Sequence, residues 1–174
     1  VHQRRHHVTQ VSITDPRVRR WGPPHPGVRD RDLRHVVPTL VHVPELTAVP
    51  LRTARLVLEP LWVDHAPEAA AAFDDAALHV FTGGVPAGPD ELRRRYERQV
   101  VGRSPDGAQV WLNWMLRGRA GGGLIGTVQA TVAVLDAEVD DLVAEVAWVV
   151  ATPHQRQGHA REAAGAMVAW LGEQ

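Results

Sequence analysis

The residues best suited to chemistry lie close together near the end of the sequence, between 148 and 161. An apolar strand at 148–151 is followed by a proline-containing loop, by Gly158 and by a strongly helical segment. That order brings free backbone N–H groups and the positive end of a helix dipole to one point, where a phosphate or pyrophosphate binds. Arg156 and Arg161 add positive charge beside it. This stretch therefore predicts an anion-binding turn.

The composition predicts one globular domain and excludes several kinds of site. The chain has 174 residues, of which 44% are hydrophobic and 22% charged, and no apolar run approaches the roughly 20 residues of a membrane span. Because cysteine is absent, thiol nucleophiles, disulfides and thiolate metal sites are excluded. All 19 basic residues are arginine, so no lysine is available for Schiff-base chemistry. The N-terminus lacks the apolar stretch of a secretory signal, which favours a cytoplasmic protein without membrane contact.

Residues 1–50 and 51–174 differ in character. The first part is basic, with 8 arginines against 4 acidic residues, six of the ten histidines and many prolines. The second part carries 11 arginines against 16 acidic residues. We expect residues 1–50 to form a disordered basic tail rich in Pro, His and Arg, in which only 35–37 and 40–43 could form short edge strands. We expect residues 51–174 to form the folded domain.

The patterning of apolar residues over the folded part predicts the order β-α-α-β-β-β-α in a mixed α/β (α+β) sheet fold. A strand over 55–61 precedes two helices, the first capped by Asp64 and the second opened by Pro89. Three strands follow, at 110–117, 124–135 and 142–150. The last of these strands and a final helix from about 158 to 171 flank the anion-binding turn.

Four segments resemble, in chain order, motifs of the GNAT (Gcn5-related) superfamily of acetyl-CoA-dependent N-acetyltransferases. Residues 51–58 (LRTARLVL) are similar to the opening strand of RimJ/RimL-like members, and 124–127 (LIGT) to their hairpin strand. Residues 144–148 (AEVAW) are similar to their strand before the cofactor loop, and 155–160 (QRQGHA) to the loop signature Q/R-x-x-G-x-G/A. The sequence is therefore identified as a member of this superfamily, and residues 51–174 are expected to form the N-terminal two thirds of the GNAT acyl-CoA N-acyltransferase fold.

The resemblance implies that acetyl-CoA binds at the turn and that its acetyl group passes directly to a primary amine in a ternary complex. The backbone of the last strand would pair with the pantetheine arm, and the amides of 155–160 would hold the pyrophosphate, with Gly158 allowing close approach. The expected cofactor-binding residues are Trp148, Val149, Val150, Ala151, Gln155, Arg156, Gln157, Gly158, His159, Ala160 and Arg161. No metal is expected.

Two residues are expected to take part in the chemistry itself. The backbone N–H of Val149 would polarise the thioester carbonyl. Glu145 is the best-placed general base for the attacking amine, although a strand-edge carboxylate paired with arginine or solvent is the alternative interpretation. The acceptor is the α-amine of a protein or peptide, or the amine of a small molecule, and the sequence does not choose between them.

The resemblance stops at Gln174, whereas the family continues with another strand, a helix and a final strand pair. We therefore expect a C-terminally truncated domain whose last sheet edge is open to a second copy or to a strand-completing partner. A non-catalytic binding or interaction module is the alternative function. A nucleotide-binding domain is a third, but the sequence lacks the P-loop lysine and the pattern G-x-G-x-x-G.

The remaining candidates have plainer interpretations. Trp111, Asn113 and Trp114 could line an acceptor slot, but tryptophans on a central strand also suit the core. The histidines at 2, 6 and 7 lack a nearby carboxylate or cysteine, which argues against a metal site. The arginines between 17 and 34 lack interleaved aromatic residues apart from Trp21, so a solvated tail is preferred over a nucleic-acid site. His154 and His159 are interpreted as polar surface residues.

Overall fold

A six-stranded antiparallel sheet forms the centre of the molecule in the computed structural model, which describes residues 9–12, 43, 45–78, 85–136 and 141–174. The strands are β1 (Thr9–Ser12), β2 (Leu51–Arg52), β3 (Leu56–Pro60), β4 (Gln109–Gly118), β5 (Leu124–Asp136) and β6 (Asp141–Val150). Their spatial order is β1-β6-β5-β4-β3-β2. The helices are α1 (Ala66–Ala72), α2 (Pro89–Gln99) and α3 (His159–Leu171). No helix in these ranges is long and apolar enough to cross a membrane.

The predicted order β-α-α-β-β-β-α is confirmed from β3 to α3, and the mixed α/β fold class is confirmed with it. The predicted helix cap is wrong in detail. Asp64 lies inside a turn of 3-10 helix, Val63–His65, and α1 starts after it with His65 at the N-cap and no side-chain capping bond. The proline in the first turn of α1 fixes the helical φ angle at its start, so a capping side chain is less needed there.

Part of the segment assigned to the tail contacts the sheet. Thr9–Ser12 pairs antiparallel with residues 143–146 of β6. Val43 is buried at 5% exposure, and Trp114 Nε1 donates a hydrogen bond to the Val49 carbonyl oxygen at 2.7 Å. The pairing of Thr9–Ser12 follows from the open edge of β6, because an exposed strand edge can form main-chain hydrogen bonds with any extended segment. Val43 shows that a single apolar residue between prolines can be buried although the sequence around it has no apolar periodicity. The predicted edge strand at 35–37 and most of the one at 40–43 lie outside the described residues.

The two faces of the sheet carry different helices because side chains alternate along each strand. One face packs on α3 and forms the larger core, which includes Leu56, Leu58, Leu112, Trp114, Val128, Val146, Ala163, Met167 and Leu171. The other face packs on α1 and α2 at one end only, through Leu61, Ala66, Ala69, Leu92, Tyr96, Met115 and Leu124. The rest of that second face, towards the middle of β4, β5 and β6, is free of these two helices.

Arg117 fixes α1 to the sheet. Its Nη1 and Nη2 each donate to a carboxylate oxygen of Glu68 on α1 at 2.6 Å, and its Nε donates to Glu59 on β3 at 2.7 Å. These hydrogen bonds lower the pKa of Glu68 and raise that of Arg117. Burial, followed by the charge of Arg117, lowers the pKa of the neighbouring His65. The position of α1 matters for the site because the loop that follows α1 reaches the anion-binding turn.

Candidate active site

The turn after β6 presents a row of free backbone N–H groups. A 3-10 turn, Thr152–His154, leads into residues with positive φ angles, 61° at Arg156 and 82° at Gly158, and Gly158 is the N-cap of α3. The first helical bond runs from the Glu162 N–H to the Gly158 carbonyl. Within the described chain, none of the N–H groups of residues 156–161 has a hydrogen-bond acceptor. Six donors at a helix N-terminus form a site for an anion.

A cleft of about 440 Å³ lies beside this turn. Its lining residues are Leu78, Trp148, Val149, Val150, His154, Gln155, Arg156, Gly158, His159, Ala160 and Arg161. The cleft therefore brings together the residues expected to bind the cofactor, except Ala151 and Gln157. Ala151 is buried and donates its N–H to Ile125 O at 2.9 Å. Gln157 turns its side chain back to the carbonyl of Pro153.

The last residues of β6 form an open strand edge along the cleft. β1 pairs with β6 only as far as Val146, so no described strand pairs with the outer side of residues 147–150. Val149 lies opposite Thr127 of β5, and the register continues to the hydrogen bond from Ala151 to Ile125. This edge has backbone groups available for an extended ligand.

The direction of the Val149 N–H differs from the sequence-based assignment. Backbone N–H groups alternate sides along an antiparallel strand. Since the Ala151 N–H points to β5, the Val149 N–H also points to β5 and away from the open edge. The outward N–H groups belong to Trp148 and Val150, and the outward carbonyl of Val150 accepts a hydrogen bond from Gln155 Nε2 at 3.0 Å. The assignment of Val149 as the donor to the thioester is corrected to its two neighbours, while Val149 remains part of the cleft wall.

Glu145 lies on the part of the sheet that α1 and α2 leave free. Its carboxylate is exposed and has no ion-pair partner among the described residues. In this part of the chain it is a solvent-exposed carboxylate. It precedes Val149 by four residues, or about 13 Å along an extended strand. At that distance Glu145 cannot touch an amine beside Val149 or Val150, and proton transfer between them requires intervening water.

Cross-strand neighbours place polar residues next to Glu145, and we call this set the acceptor face. Glu145 lies opposite Thr131, which lies opposite Trp111, and the next row holds Gln129 and Asn113. Trp111 and Asn113 are half-buried there. Trp114, by contrast, points to the other side of the sheet, is fully buried and packs edge-on against Trp170 at 5.7 Å. Trp111 and Asn113 therefore stay candidates for the predicted acceptor slot, whereas Trp114 belongs to the core.

Two contributions to the cleft were missed from the sequence. Leu78, in the helical residues 76–78 that follow α1, is buried and lines the cleft, and Asp75 just before them accepts a hydrogen bond from Thr152 Oγ1 at 2.5 Å. His154 also lines the cleft, with its ring 6.3 Å from that of His159, whose Nδ1 is buried without a hydrogen-bond partner. The loop contact carries no local signal because its two residues are 77 positions apart.

Arg55 and Glu162 hold the turn from behind. Arg55 Nη1 donates to the carbonyl of Gln157 at 2.9 Å, and Arg55 Nε donates to Glu162 at 2.7 Å. Glu162 also accepts hydrogen bonds from the Arg55 N–H at 2.8 Å and from Thr53 Oγ1 at 2.5 Å. Burial alone would raise the pKa of Glu162, but these hydrogen bonds outweigh it and lower the pKa.

The described residues contain no group of three or more His, Cys, Asp or Glu side chains placed to hold a metal ion. The histidines at 2, 6 and 7 and the arginines between 17 and 34 lie outside the described residues. The loop at 79–84 and the acidic turn at 137–140 are also outside them. The described part therefore offers an anion-binding turn, an open strand edge, the unpaired carboxylate of Glu145 on the free face of the sheet, and His154 beside the turn.

Comparison with known proteins agrees with this architecture. The acetyltransferase (GNAT) domain family matches residues 55–174. Similar solved structures include the GNAT-family acetyltransferase from Bacillus anthracis, 15% identical with a TM-score of 0.53 over 70% of this chain and 65% of that one. A proposed ribosomal-protein-serine acetyltransferase from Vibrio cholerae is 18% identical, with a TM-score of 0.55 over 72% of this chain and 67% of that one.

A proposed GNAT-family acetyltransferase from Bordetella pertussis is 23% identical, with a TM-score of 0.51 over 72% of each chain. The chain spans about two thirds of the length of the Bacillus anthracis structure. No curated protein matches the sequence significantly. The family match covers the sheet from β3 onward together with the anion-binding turn, and the chain belongs to the acetyltransferase (GNAT) domain family.

Proposed function

We propose that this protein is an acetyl-CoA-dependent N-acetyltransferase of the RimJ/RimL-like type, which transfers an acetyl group to a primary amine. The observation that carries the proposal is the row of free N–H groups from Arg156 to Arg161 at the start of α3, facing a cleft of about 440 Å³. Family membership supports acyl transfer in general. The identity of the acyl donor and the class of acceptor are the parts that we propose.

The residues of the turn fit the diphosphate of coenzyme A. The six amides supply donors, Arg156 and Arg161 supply charge, and the left-handed φ of 82° at Gly158 is one that a side chain would strain. The open edge of β6 offers the N–H groups of Trp148 and Val150 to an extended pantetheine arm. When bound, acetyl-CoA would supply an activated thioester, and coenzyme A with its free thiol would be the product that leaves.

The protein residues would assist direct attack by the amine. An outward N–H of β6 would stabilise negative charge on the thioester oxygen. Glu145 would accept the proton of the amine through water on the acceptor face. An α-amine, with a pKa of about 7.7–8.0, is roughly a tenth neutral at pH 7, whereas a lysine-type amine is only about one part in a thousand neutral. A protein N-terminus therefore needs less help from a base and is our preferred acceptor.

Calorimetry with coenzyme A and an assay of thiol release with acetyl-CoA test the proposal. We expect micromolar binding, weakened at least about tenfold in Gly158→Ala because alanine strains the left-handed turn. Gly165→Ala is the matched control, since Gly165 lies in the same helix and a Cβ there meets no atom within 4 Å. Absence of coenzyme A binding to the unmodified protein would refute the proposal and favour a non-catalytic interaction module.

A further inference from the structure

We infer that Arg55 and Glu162 are positioning residues, which hold the backbone of the anion-binding turn in the conformation that grips a diphosphate. The inference rests on the proposed binding of coenzyme A and deepens it. Neither residue lines the cleft. Their effect on the ligand would therefore pass through the turn itself.

The contacts join three separate parts of the chain at the back of the turn. The guanidinium of Arg55 bridges the Gln157 carbonyl and the Glu162 carboxylate, and its Nη2 lies 2.6 Å from Glu162 Oε2. Glu162 is also anchored to the start of β3 by the Arg55 N–H and Thr53 Oγ1. Because the Gln157 carbonyl is held on the Arg55 side, the peptide plane between Gln157 and Gly158 has a fixed orientation.

The turn needs this support because its own backbone is strained. Arg156 has a φ of 61°, which is unfavourable for a residue with a side chain, and it directly precedes the carbonyl that Arg55 holds. Arg55 Nη2 also lies 3.3 Å from the position that a Cβ on Gly158 would occupy. The guanidinium therefore packs against the outer side of the turn as well as bonding to it.

The sign of one charge separates positioning from simple electrostatics. Glu162 is negative and lies in the first turn of α3, close to the proposed diphosphate. If its role were only electrostatic, removing its charge would strengthen the binding of an anion. If Glu162 positions the turn through Arg55, removing it would weaken binding despite the loss of a repelling charge. The two explanations thus predict opposite changes in the dissociation constant.

The test compares Glu162→Ala with Glu173→Ala, an exposed carboxylate outside α3, using calorimetry for coenzyme A and NMR titration for pantetheine, which lacks the diphosphate. We expect the dissociation constant for coenzyme A to rise about tenfold in Glu162→Ala, the size of one lost charged hydrogen bond, and that for pantetheine to stay unchanged. Arg55→Lys keeps the charge without the planar fork and should give a smaller loss. Arg119→Ala, in the turn between β4 and β5, removes hydrogen bonds to the Thr53 and Ala54 carbonyls beside Arg55 and should leave the binding of coenzyme A unchanged.

A second measurement does not depend on coenzyme A. In the ligand-free protein, ¹⁵N relaxation should show rigid amides at Gln157 and Gly158, with order parameters near 0.85 that fall below about 0.6 in Glu162→Ala. Order parameters that stay unchanged in Glu162→Ala would overturn the inference, whether or not the protein binds coenzyme A. Absence of coenzyme A binding to the unmodified protein would instead refute the proposed function. The inference would also be overturned if Glu162→Ala bound coenzyme A as tightly as the unmodified protein or more tightly. The same holds if the variant lost as much affinity for pantetheine as for coenzyme A.

Discussion

Thr152 Oγ1 donates a hydrogen bond of 2.5 Å to Asp75 Oδ2 and thereby joins the turn after β6 to the loop after α1. Asp75 also precedes the helical residues 76–78, and it accepts hydrogen bonds from the Ala77 N–H at Oδ1 and from the Leu78 N–H at its carbonyl oxygen. Leu78 then reaches the wall of the cleft. The anion-binding turn and the segment that carries Leu78 are thus connected through Asp75.

Replacing the hydroxyl of this contact should loosen the loop. We expect Thr152→Val to lower the free energy of unfolding by about 0.5–1 kcal/mol. The lost hydrogen bond joins a neutral hydroxyl to a charged carboxylate, but its exposure to solvent reduces its contribution. We also expect faster hydrogen exchange at the Leu78 amide, measured by NMR. Thr47→Val, at an exposed threonine outside the elements, is the control. Unchanged exchange at Leu78 in Thr152→Val would show that Asp75 holds the loop by itself.

The ion pair between Arg117 and Glu68 should make stability fall in acid. The pKa of Glu68 is lowered from 4.5 in the folded protein, so the pair stabilises the fold above about that pH and is lost as the pH falls through the lowered value. Glu68→Gln should therefore have a Tm lower by about 3 °C at pH 7, a ~1 kcal/mol effect reduced by solvent screening. The two Tm curves should converge as the pH falls below 4.5. Parallel curves over that range would contradict the assignment.

Tyr96 allows a direct titration because it is the single tyrosine of the chain. Tyr96 lies on the buried side of α2, and its burial raises its pKa from 10.0 to about 12. Because the folded pKa exceeds the unfolded one, Tyr96 stabilises the fold below about pH 10 and loses that contribution as the pH rises towards 12. The absorbance of tyrosinate at 295 nm should rise near pH 12 in the native protein and near pH 10 in urea. A native transition at pH 10 would mean that Tyr96 is exposed.

Gly126 and Gly165 should respond oppositely to the same substitution. A Cβ at Gly126 would collide with the Val149 carbonyl oxygen, because β5 and β6 approach closely there, whereas a Cβ at Gly165 meets open space. We expect Gly126→Ala to destabilise the protein by about 1–3 kcal/mol. Gly165→Ala should stabilise it by up to about 1 kcal/mol, since alanine favours a helix. Urea unfolding of both variants measures the difference, and a neutral Gly126→Ala would show that the strands can separate.

The sequence predicted what local patterns determine. Apolar periodicity predicted β4, β5 and β6 to within two residues, and the resemblance at 155–160 predicted a turn whose backbone N–H groups have no acceptor among the described residues. It could not give the direction of the Val149 N–H, because a shift of one residue in register reverses which backbone groups face the strand edge. It also could not pair Arg55 with Glu162, which are 107 residues apart and meet only after β3 and α3 have packed.

The role proposed for Glu145 predicts different losses for different acceptors. Glu145 is exposed on the acceptor face, about 13 Å along β6 from Val149, so it would act on the amine through water. Glu145→Gln should lower kcat/KM by about 10²-fold for a lysine-type amine at pH 7, and by less for a peptide α-amine, which is partly neutral without help. Raising the pH towards 9 should narrow the difference between variant and unmodified protein. Gln129→Glu would place a carboxylate nearer to Val149 on the same face of the sheet. The double variant with Glu145→Gln and Gln129→Glu should therefore recover part of the lost activity. If it recovers none, proton transfer through water depends on the position of Glu145 itself.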